Sequence, residues 1–419
     1  MQFGLFYEHQ LPRPWGDGDE LQLFQDALDQ VELADRLGFD YVWEVEHHFL
    51  EEYSHSSAPE VFLGACSQRS RQIRLGHGIV LHPPAYNHPA RIAERIATLD
   101  LVSNGRVDWG TGESASRVEL EAFGVDPAAK KEMWAESVRE TAKMMAQSPY
   151  PGYQGKYFSM PPRNVVPKPV QRPHPPLWVA CSNRHTIRAA ARLGMGALTL
   201  AFMDPGEAKT WVDEYHRAFA TECTPIGRAV NPSVAMVAGF SCHRDESVAV
   251  ERGMDGLRFF HYALSHYYFD GSHVPGRTDL WDMWQKAPHA PPKSRGGIGT
   301  PEQIAAHLRR LEDAGVDQVV FLQQAGGIAH EHICQSLELF AAEVMPEFKA
   351  RHAERTAAKN EKLAAAVERA ESRIAPLEEC ADPPIIDAYP KAASAPRDEA
   401  EVDKARDSWA TAIEGGRRS

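Results

Sequence analysis

The chain has 419 residues, of which 43% are hydrophobic and 25% are charged, and its formal net charge is −13. This composition is typical of a soluble globular protein, and the acidic balance leaves no basic surface for binding nucleic acid. No apolar run approaches the roughly 20 residues that cross a bilayer. Because the N-terminus also lacks a secretory signal pattern, we expect a cytoplasmic protein without membrane contacts.

Short apolar runs alternate with longer amphipathic segments through the first 345 residues. Doubly wound sheets give the same alternation but usually stop at five or six strands, so eight repeats favour a closed (β/α)₈ TIM barrel. The predicted strands are 3–7, 41–45, 73–80, 107–110, 177–180, 197–200, 233–241 and 318–322. The predicted helices are 21–37, 59–70, 91–103, 133–145, 185–193, 205–220, 248–264, 301–314 and 330–344.

Three stretches depart from this alternation. Residues 111–176 are long and end in a proline-rich run, and residues 259–299 are dense in aromatic residues. High aromatic density argues against disorder, so 259–299 is predicted to form either a lid or pocket wall, or else a packed subdomain or dimer contact. From 349 to 419 the composition predicts an exposed helix followed by a mobile arm, which leaves 1–348 as the barrel domain.

The end of the second strand carries the densest group of titratable residues. The run Glu44-Val45-Glu46-His47-His48 combines carboxylates and imidazoles, which suits acid–base chemistry near neutral pH. A hydrogen-bonded structural histidine is the competing interpretation. Strand alternation would send Val45 and His47 to one side and the other three residues to the opposite side. No metal-ligand spacing accompanies the run, and the six scattered cysteines suggest reduced thiols, so no metal is expected.

Three further strand ends offer weaker signals. Gly76 and Gly78 permit a flat ligand to approach the backbone, or they mark a bulge. The helix start near Ser182 could bind an anion or could simply be capped by its own side chains. The sequence Ala325-Gly326-Gly327 before the last helix is a rival anion site.

Several sequence motifs, in the same order along the chain, resemble those of the luciferase-like flavin-dependent monooxygenases. The resemblance is collinear over about 1–348. The motifs are Phe3-Gly4, Gly38-Phe39-Asp40-Tyr41-Val42-Trp43, Glu46-His47-His48-Phe49, Thr98-Leu99-Asp100-Leu101-Val102-Ser103-Asn104-Gly105-Arg106, Gly299-Thr300-Pro301-Glu302 and Ala314-Gly315-Val316-Asp317.

The resemblance implies an enzyme that uses reduced FMN and dioxygen to form a flavin (hydro)peroxide and to oxygenate a small apolar organic substrate. It implies that His47 is the catalytic residue that stabilises or protonates this intermediate. It also places Glu46 beside the flavin ring, and a strained, often cis, peptide at Gly78–Ile79 against the ring.

For the cofactor phosphate, the resemblance points to Ser182 and Thr186, with the backbone of Cys181, in preference to plain capping. Glu113 stands where the family carries a phosphate-binding arginine, and an acid there would repel a phosphate. Glu113 therefore faces the flavin ring or the substrate, and Ser114 beside it is expected to bind the cofactor. The candidates for the missing positive charge are Arg117, Arg184 and His185.

The resemblance also implies a homodimer. Because no second nucleotide-binding unit is evident, we expect a separate NAD(P)H:flavin reductase to supply the reduced FMN. One alternative is a deazaflavin-dependent oxidoreductase that transfers hydride on the same barrel. The others are a flavin-binding relative without catalysis and an unrelated phosphate-binding barrel enzyme.

Overall fold

The computed structural model describes residues 1–200, 202–288 and 294–386. Its barrel strands are β1 (Gln2–Tyr7), β2 (Tyr41–Glu44), β3 (Arg74–His77), β4 (Val107–Gly112), β5 (Leu177–Cys181), β6 (Gly196–Thr199), β7 (Val234–Ala238) and β8 (Gln318–Gln323). These eight parallel strands pair in the order β3-β2-β1-β8-β7-β6-β5-β4, and a further pairing of β3 with β4 closes the sheet into a barrel. The predicted TIM barrel is therefore confirmed.

Helices connect the strands and surround the barrel. The apolar faces of the helices pack on the outward-facing residues of the strands. Phe3, Leu75 and Val319 are completely buried in this packing. The helices are α1 (Asp19–Leu37), α2 (Pro59–Arg69), α3 (Pro89–Val102), α4 (Arg117–Ala122), α5 (Lys130–Ala146), α6 (Arg184–Arg192), α7 (Pro205–Glu222), α8 (Glu246–Ser265), α9 (Leu280–Lys286), α10 (Pro301–Asp313), α11 (His330–Glu343) and α12 (Met345–Glu371).

Two predicted strands are each divided at a glycine. The run 73–80 forms β3 and a short continuation at Val80–Leu81, and between them the Gly78 amide donates to the Glu44 carbonyl at 2.6 Å. The run 233–241 forms β7 and a separate strand at Phe240–Cys242, which pairs with Gly297–Gly299 outside the barrel. The first continuation stays in the barrel, where Val80 and Leu81 pair with Thr111 and Gly112 of β4, whereas the second leaves it.

The aromatic segment is more regular than its composition suggests. Helix α8 ends at Ser265, which confirms the helix predicted at 248–264, and one unpredicted π-helical turn follows at His266–Asp270. Phe259 and Phe260 are fully buried on α8, and the Phe260 ring lies 5.5 Å from the ring of Tyr53. Burial of these two rings stabilises the helix across the open end of the barrel.

The C-terminal helix α12 begins before the predicted domain boundary. Phe348 is fully buried against Phe3, and Arg351 pairs with Glu312 at 2.7 Å. Residues Met1–Glu378 form one compact unit, whereas the division at residue 348 stays a prediction. The predicted mobile arm lies largely outside the described residues. No helix in the described part of the chain is long and apolar enough to span a bilayer.

Candidate active site

A cavity of about 770 Å³ opens at the carboxyl ends of the barrel strands. Its volume lies within the roughly 300–1,000 Å³ that is usual for small-molecule and cofactor sites. Glu46, which was predicted to lie beside the cofactor ring, does not line it. The predicted residues that do are His47, Gly78, Ile79, Glu113, Ser114, Cys181, Ser182 and Thr186.

The residues after β2 keep the alternation of the strand although its ladder ends at Glu44. Val45 and His47 line the cavity, whereas Glu44 and Glu46 are buried behind its wall. The predicted orientation of His47 is therefore confirmed. Its imidazole reaches the cavity because the main chain stays extended past the end of the strand.

Two buried carboxylates flank the imidazole of His47. Its Nδ1 lies 3.1 Å from Glu119 Oε1, and its Nε2 lies 3.5 Å from Glu8 Oε2. Burial alone would lower the pKa of His47, but the charges of Glu119 and Glu8 outweigh it and raise the pKa to about 9. His47 is therefore a cation at neutral pH.

Glu8 and Glu119 are functional candidates that sequence reasoning missed. Glu8 directly follows β1 and lines the cavity, so its position at a strand end was a usable signal. Glu119 lies on the short helix α4, away from any strand end, and only the fold brings it to His47.

Glu46 supports the cavity wall from behind. Its Oε2 accepts the Leu81 amide at 2.7 Å, and its Oε1 accepts the Asn87 side-chain amide at 2.8 Å. The ring of His48 lies 3.2 Å from the same Oε1. Because both oxygens are engaged inside the wall, the contacts of Glu46 fix the chain after β3, and its place beside the cofactor ring stays a prediction.

The segment after β3 forms an apolar side of the cavity. Ile79 lies over Gly112, where a Cβ atom would meet Ile79 Cδ1 at 2.5 Å. The expected cis bond at Gly78–Ile79 is wrong, and a trans bond avoids the roughly 3 kcal/mol cost of a non-proline cis peptide. The cis bonds of the described residues all precede proline, at Arg13-Pro14, Ser148-Pro149, Val166-Pro167 and Arg172-Pro173.

The start of α6 combines a helix cap with the cavity wall. The Asn183 side chain accepts the amides of His185 and Thr186, each at 3.0 Å, and Thr186 Oγ1 accepts the Ser182 amide at 3.1 Å. The capping interpretation is therefore confirmed. Ser182 and Thr186 nevertheless line the cavity, where they could also bind an anion.

The rival anion site at the last helix does not belong to this cavity. The amide of Gly326 donates to the side chain of Gln10 at 2.7 Å, and neither residue lines the cavity. The Gly326 amide therefore already has a hydrogen-bond acceptor within the protein.

The candidates for the missing positive charge are also elsewhere. Arg117 pairs with Glu121 and Arg184 pairs with Glu214, and neither arginine lines the cavity. His185 does not line it either.

The charge near Glu113 comes from Lys130 on α5. Lys130 lines the cavity with its Nζ 3.5 Å from Glu113 Oε1, and it also contacts the Ser114 carbonyl. Burial raises the pKa of Glu113, and the ammonium of Lys130 opposes this rise. Sequence reasoning missed Lys130 because it lies seventeen positions after Glu113 on another element.

The aromatic segment forms the outer wall of the cavity, as one of the two interpretations predicted. This wall combines aromatic and aliphatic side chains, an arrangement suited to an organic ligand with few polar groups. Its lining residues are His261, Tyr262, Leu264, Tyr268, Phe269, Trp284, Pro288 and Ser294. Arg258, just before the segment on α8, also lines the cavity. The described residues include no cluster of three or more His, Cys, Asp or Glu side chains that could hold a metal ion.

Comparison with known proteins assigns this architecture to a family. A family model described as luciferase-like monooxygenase matches residues 1–318. The oxygenase component of a flavin-dependent trigonelline monooxygenase from Acinetobacter baylyi is 25% identical over 358 residues, which cover 83% of this chain and 96% of that protein. An F420-dependent glucose-6-phosphate dehydrogenase from Microbacterium testaceum is 25% identical over 335 residues, covering 78% of this chain and 94% of that protein.

Solved structures share the same barrel. The monooxygenase RslO1 from Streptomyces bottropensis has a TM-score of 0.67 and 27% identity, covering 83% of this chain and all of that one (100%). The oxygenating constituent of 3,6-diketocamphane monooxygenase from Pseudomonas putida, solved in complex with FMN, has a TM-score of 0.62 and 20% identity, covering 83% of this chain and 98% of that chain. At this low identity the second similarity supports the fold alone.

Proposed function

The chain belongs to the luciferase-like monooxygenase family, an oxidoreductase family, and we propose that it is the oxygenase component of a two-component FMN-dependent monooxygenase. A separate NAD(P)H:flavin reductase would supply reduced FMN, and dioxygen and a small apolar organic molecule would be the other substrates. The observation that carries this proposal is that His47, the apolar Gly78–Ile79 segment and the Ser182–Thr186 helix start line one cavity.

The residues present fit a flavin with a phosphate tail. Ile79 and Val45 offer apolar surface to a ring, and the hydroxyl of Ser182 offers a hydrogen bond to a phosphate. The Thr186 hydroxyl donates to the Asn183 carbonyl at 2.8 Å and lies beside this place. When bound, reduced FMN supplies the two electrons with which dioxygen is activated, so that one oxygen atom enters the substrate and the other leaves as water.

In this proposal His47 supplies the positive charge of the reacting centre. Its protonated imidazole faces the cavity, where it donates a hydrogen bond to negative charge that develops on oxygen. The aromatic outer wall limits the access of water to this centre. The chain's own contribution is therefore to hold one proton at His47 and to enclose an apolar substrate.

The proposal is tested by mixing the protein with reduced FMN in the absence of oxygen and then admitting air. We expect the absorbance of oxidised flavin to return more slowly than it does for free reduced FMN, because the bound flavin is shielded from water. With a flavin reductase added, a panel of apolar substrates should yield products carrying one atom of labelled dioxygen.

Hydride transfer with a deazaflavin is the competing function, because one relative is an F420-dependent dehydrogenase. Substrate oxidation that reduces a deazaflavin under nitrogen, together with no effect of the protein on reduced FMN, would favour it. An absence of binding to either flavin would favour a phosphate-binding enzyme of another kind.

Lys130 is expected to neutralise the cofactor phosphate in the place of the family's arginine. We predict that Lys130→Ala weakens FMN binding about 10-fold, the effect of losing one charge-assisted hydrogen bond. Binding of riboflavin, which lacks the phosphate, should be unchanged. Fluorescence titration with both flavins measures this difference.

The neighbouring Lys131 provides a matched control, since it is exposed and does not line the cavity. Lys131→Ala should leave both titrations unchanged. An equal loss of FMN and riboflavin affinity in Lys130→Ala would mean that Lys130 shapes the cavity and does not bind phosphate.

The family resemblance further leads us to infer a homodimer in the cytoplasm. Sedimentation of the purified protein measures the oligomeric state, and a monomer at micromolar concentration would contradict the inferred dimer.

A further inference from the structure

We propose that Glu119, His47 and Glu8 form one carboxylate–imidazole–carboxylate unit, in which Glu119 positions the imidazole and Glu8 is a second proton-carrying group of the cavity. This inference rests on the proposed function, because it assigns further residues to the same reacting centre. The name acid–base unit refers below to these three residues.

Glu119 is held in its ionised form by the donors around it. Its Oε1 accepts the His48 amide at 2.9 Å, and its Oε2 accepts the Ser114 hydroxyl at 2.5 Å. Burial would raise the pKa of Glu119, but His47 and these hydrogen bonds lower it. An ionised Glu119 can only accept, so His47 Nδ1 must donate to it.

This hydrogen bond fixes the orientation of the imidazole. With Nδ1 turned to Glu119, the Nε2 atom of His47 is directed to the side where Glu8 and the cavity lie. A carboxylate that fixes one ring nitrogen while the other does the chemistry is a recurrent arrangement in acid–base catalysis. Glu119 is therefore a positioning residue.

Glu8 has the environment of a proton carrier. It is 1% exposed, its Oε1 accepts the Tyr53 hydroxyl at 3.1 Å, and its Oε2 has no hydrogen-bond partner among the described residues. Burial raises the pKa of Glu8 to about 7, against the opposing charge of His47. At neutral pH Glu8 can thus both hold and release a proton.

The two tyrosines next to the acid–base unit, Tyr53 and Tyr268, contribute no charge to it. The Tyr268 hydroxyl lies 3.4 Å from His47 Nδ1, and burial raises the pKa values of Tyr53 and Tyr268, so both phenols stay neutral. Glu44, Glu46 and Tyr86 are further ionisable groups that act on the unit, and burial raises the pKa of Tyr86.

The proposed step moves protons alone. The Nε2–H bond of His47 breaks as its proton passes to a basic atom of the bound ligand. The carboxyl O–H of Glu8 then breaks, and its proton restores Nε2–H across the 3.5 Å separation. Water returns a proton to Glu8, so no oxidant or reductant is consumed.

The positioning role is tested by NMR titration of ring-labelled histidine in the protein without flavin, with the His47 signal identified by its loss in His47→Gln. We expect the pKa of His47 to lie well above 6.5 and to fall by at least about one unit in Glu119→Gln. Glu121→Gln, on the same helix but exposed, should leave it unchanged.

The role of Glu8 is tested by infrared spectroscopy across the same pH range. A buried carboxylic acid band should disappear as the pH rises through about 7, and it should be absent at every pH in Glu8→Gln. The same band in Glu8→Gln would overturn the assignment of Glu8.

A pKa at or below 6.5 for His47 in the wild-type protein would by itself overturn the proposed acid–base unit. Since both measurements use the flavin-free protein, the unit can be confirmed even if reduced FMN does not bind, and the two failures remain distinguishable.

Discussion

Replacing His47 with alanine is expected to lower turnover by about 100- to 10,000-fold, the usual contribution of a positioned acid or base, while FMN binding changes little. The imidazole is the one cationic group that lies between Glu8 and Glu119 on the cavity wall in the described structure. Without it, developing negative charge would face two carboxylates. Steady-state turnover with a flavin reductase, beside FMN titration, measures the two effects separately.

An exposed histidine serves as the control for this variant. His88 caps α3 and does not line the cavity, so His88→Ala should turn over at the parental rate. A His47→Ala protein that binds FMN and turns over as fast as the parent would remove His47 from the mechanism.

Replacing Gly110 with alanine is expected to destabilise the barrel by about 3 kcal/mol, near the upper end of ordinary overpacking effects. A Cβ atom at this position would lie 1.9 Å from the backbone oxygen of His77. Backbone cannot turn away as a flexible side chain can, so β3 and β4 would have to separate. Thermal or urea denaturation measures the loss.

Gly64 on α2 gives the matched control, because a Cβ atom there meets no other atom within 4 Å. Gly64→Ala should stabilise the protein by about 0.5–1 kcal/mol through helix propensity. Equal stability of Gly110→Ala and the parent would show that the close contact between β3 and β4 is absent in solution.

All eight barrel strands could be predicted from the sequence, because each is a short apolar run bordered by helical periodicity. The observed β6, Gly196–Thr199, lies within one residue of its predicted bounds at each end. The helix predicted at 248–264 is confirmed as α8, whereas the π-helical turn at His266–Asp270 and helix α9 inside the aromatic segment were not predicted. Composition alone does not distinguish a buried helix from an ordered loop.

The site was predictable where a residue lies within three positions after the end of a strand. His47 and Ser182 both met this condition and both line the cavity. Glu119 and Lys130 did not, because they lie on helices that only the fold turns toward the strand ends. Glu46 met the condition but faces away, since alternation sends every second residue behind the wall.

A crystal structure of the protein with FMN tests the central proposal most directly. We predict that the ring lies against Gly78–Ile79 with the His47 imidazole next to it, and that the phosphate contacts Ser182 and Thr186. FMN bound outside this cavity, or a ring too distant from His47 for contact, would contradict the proposed site and the function derived from it.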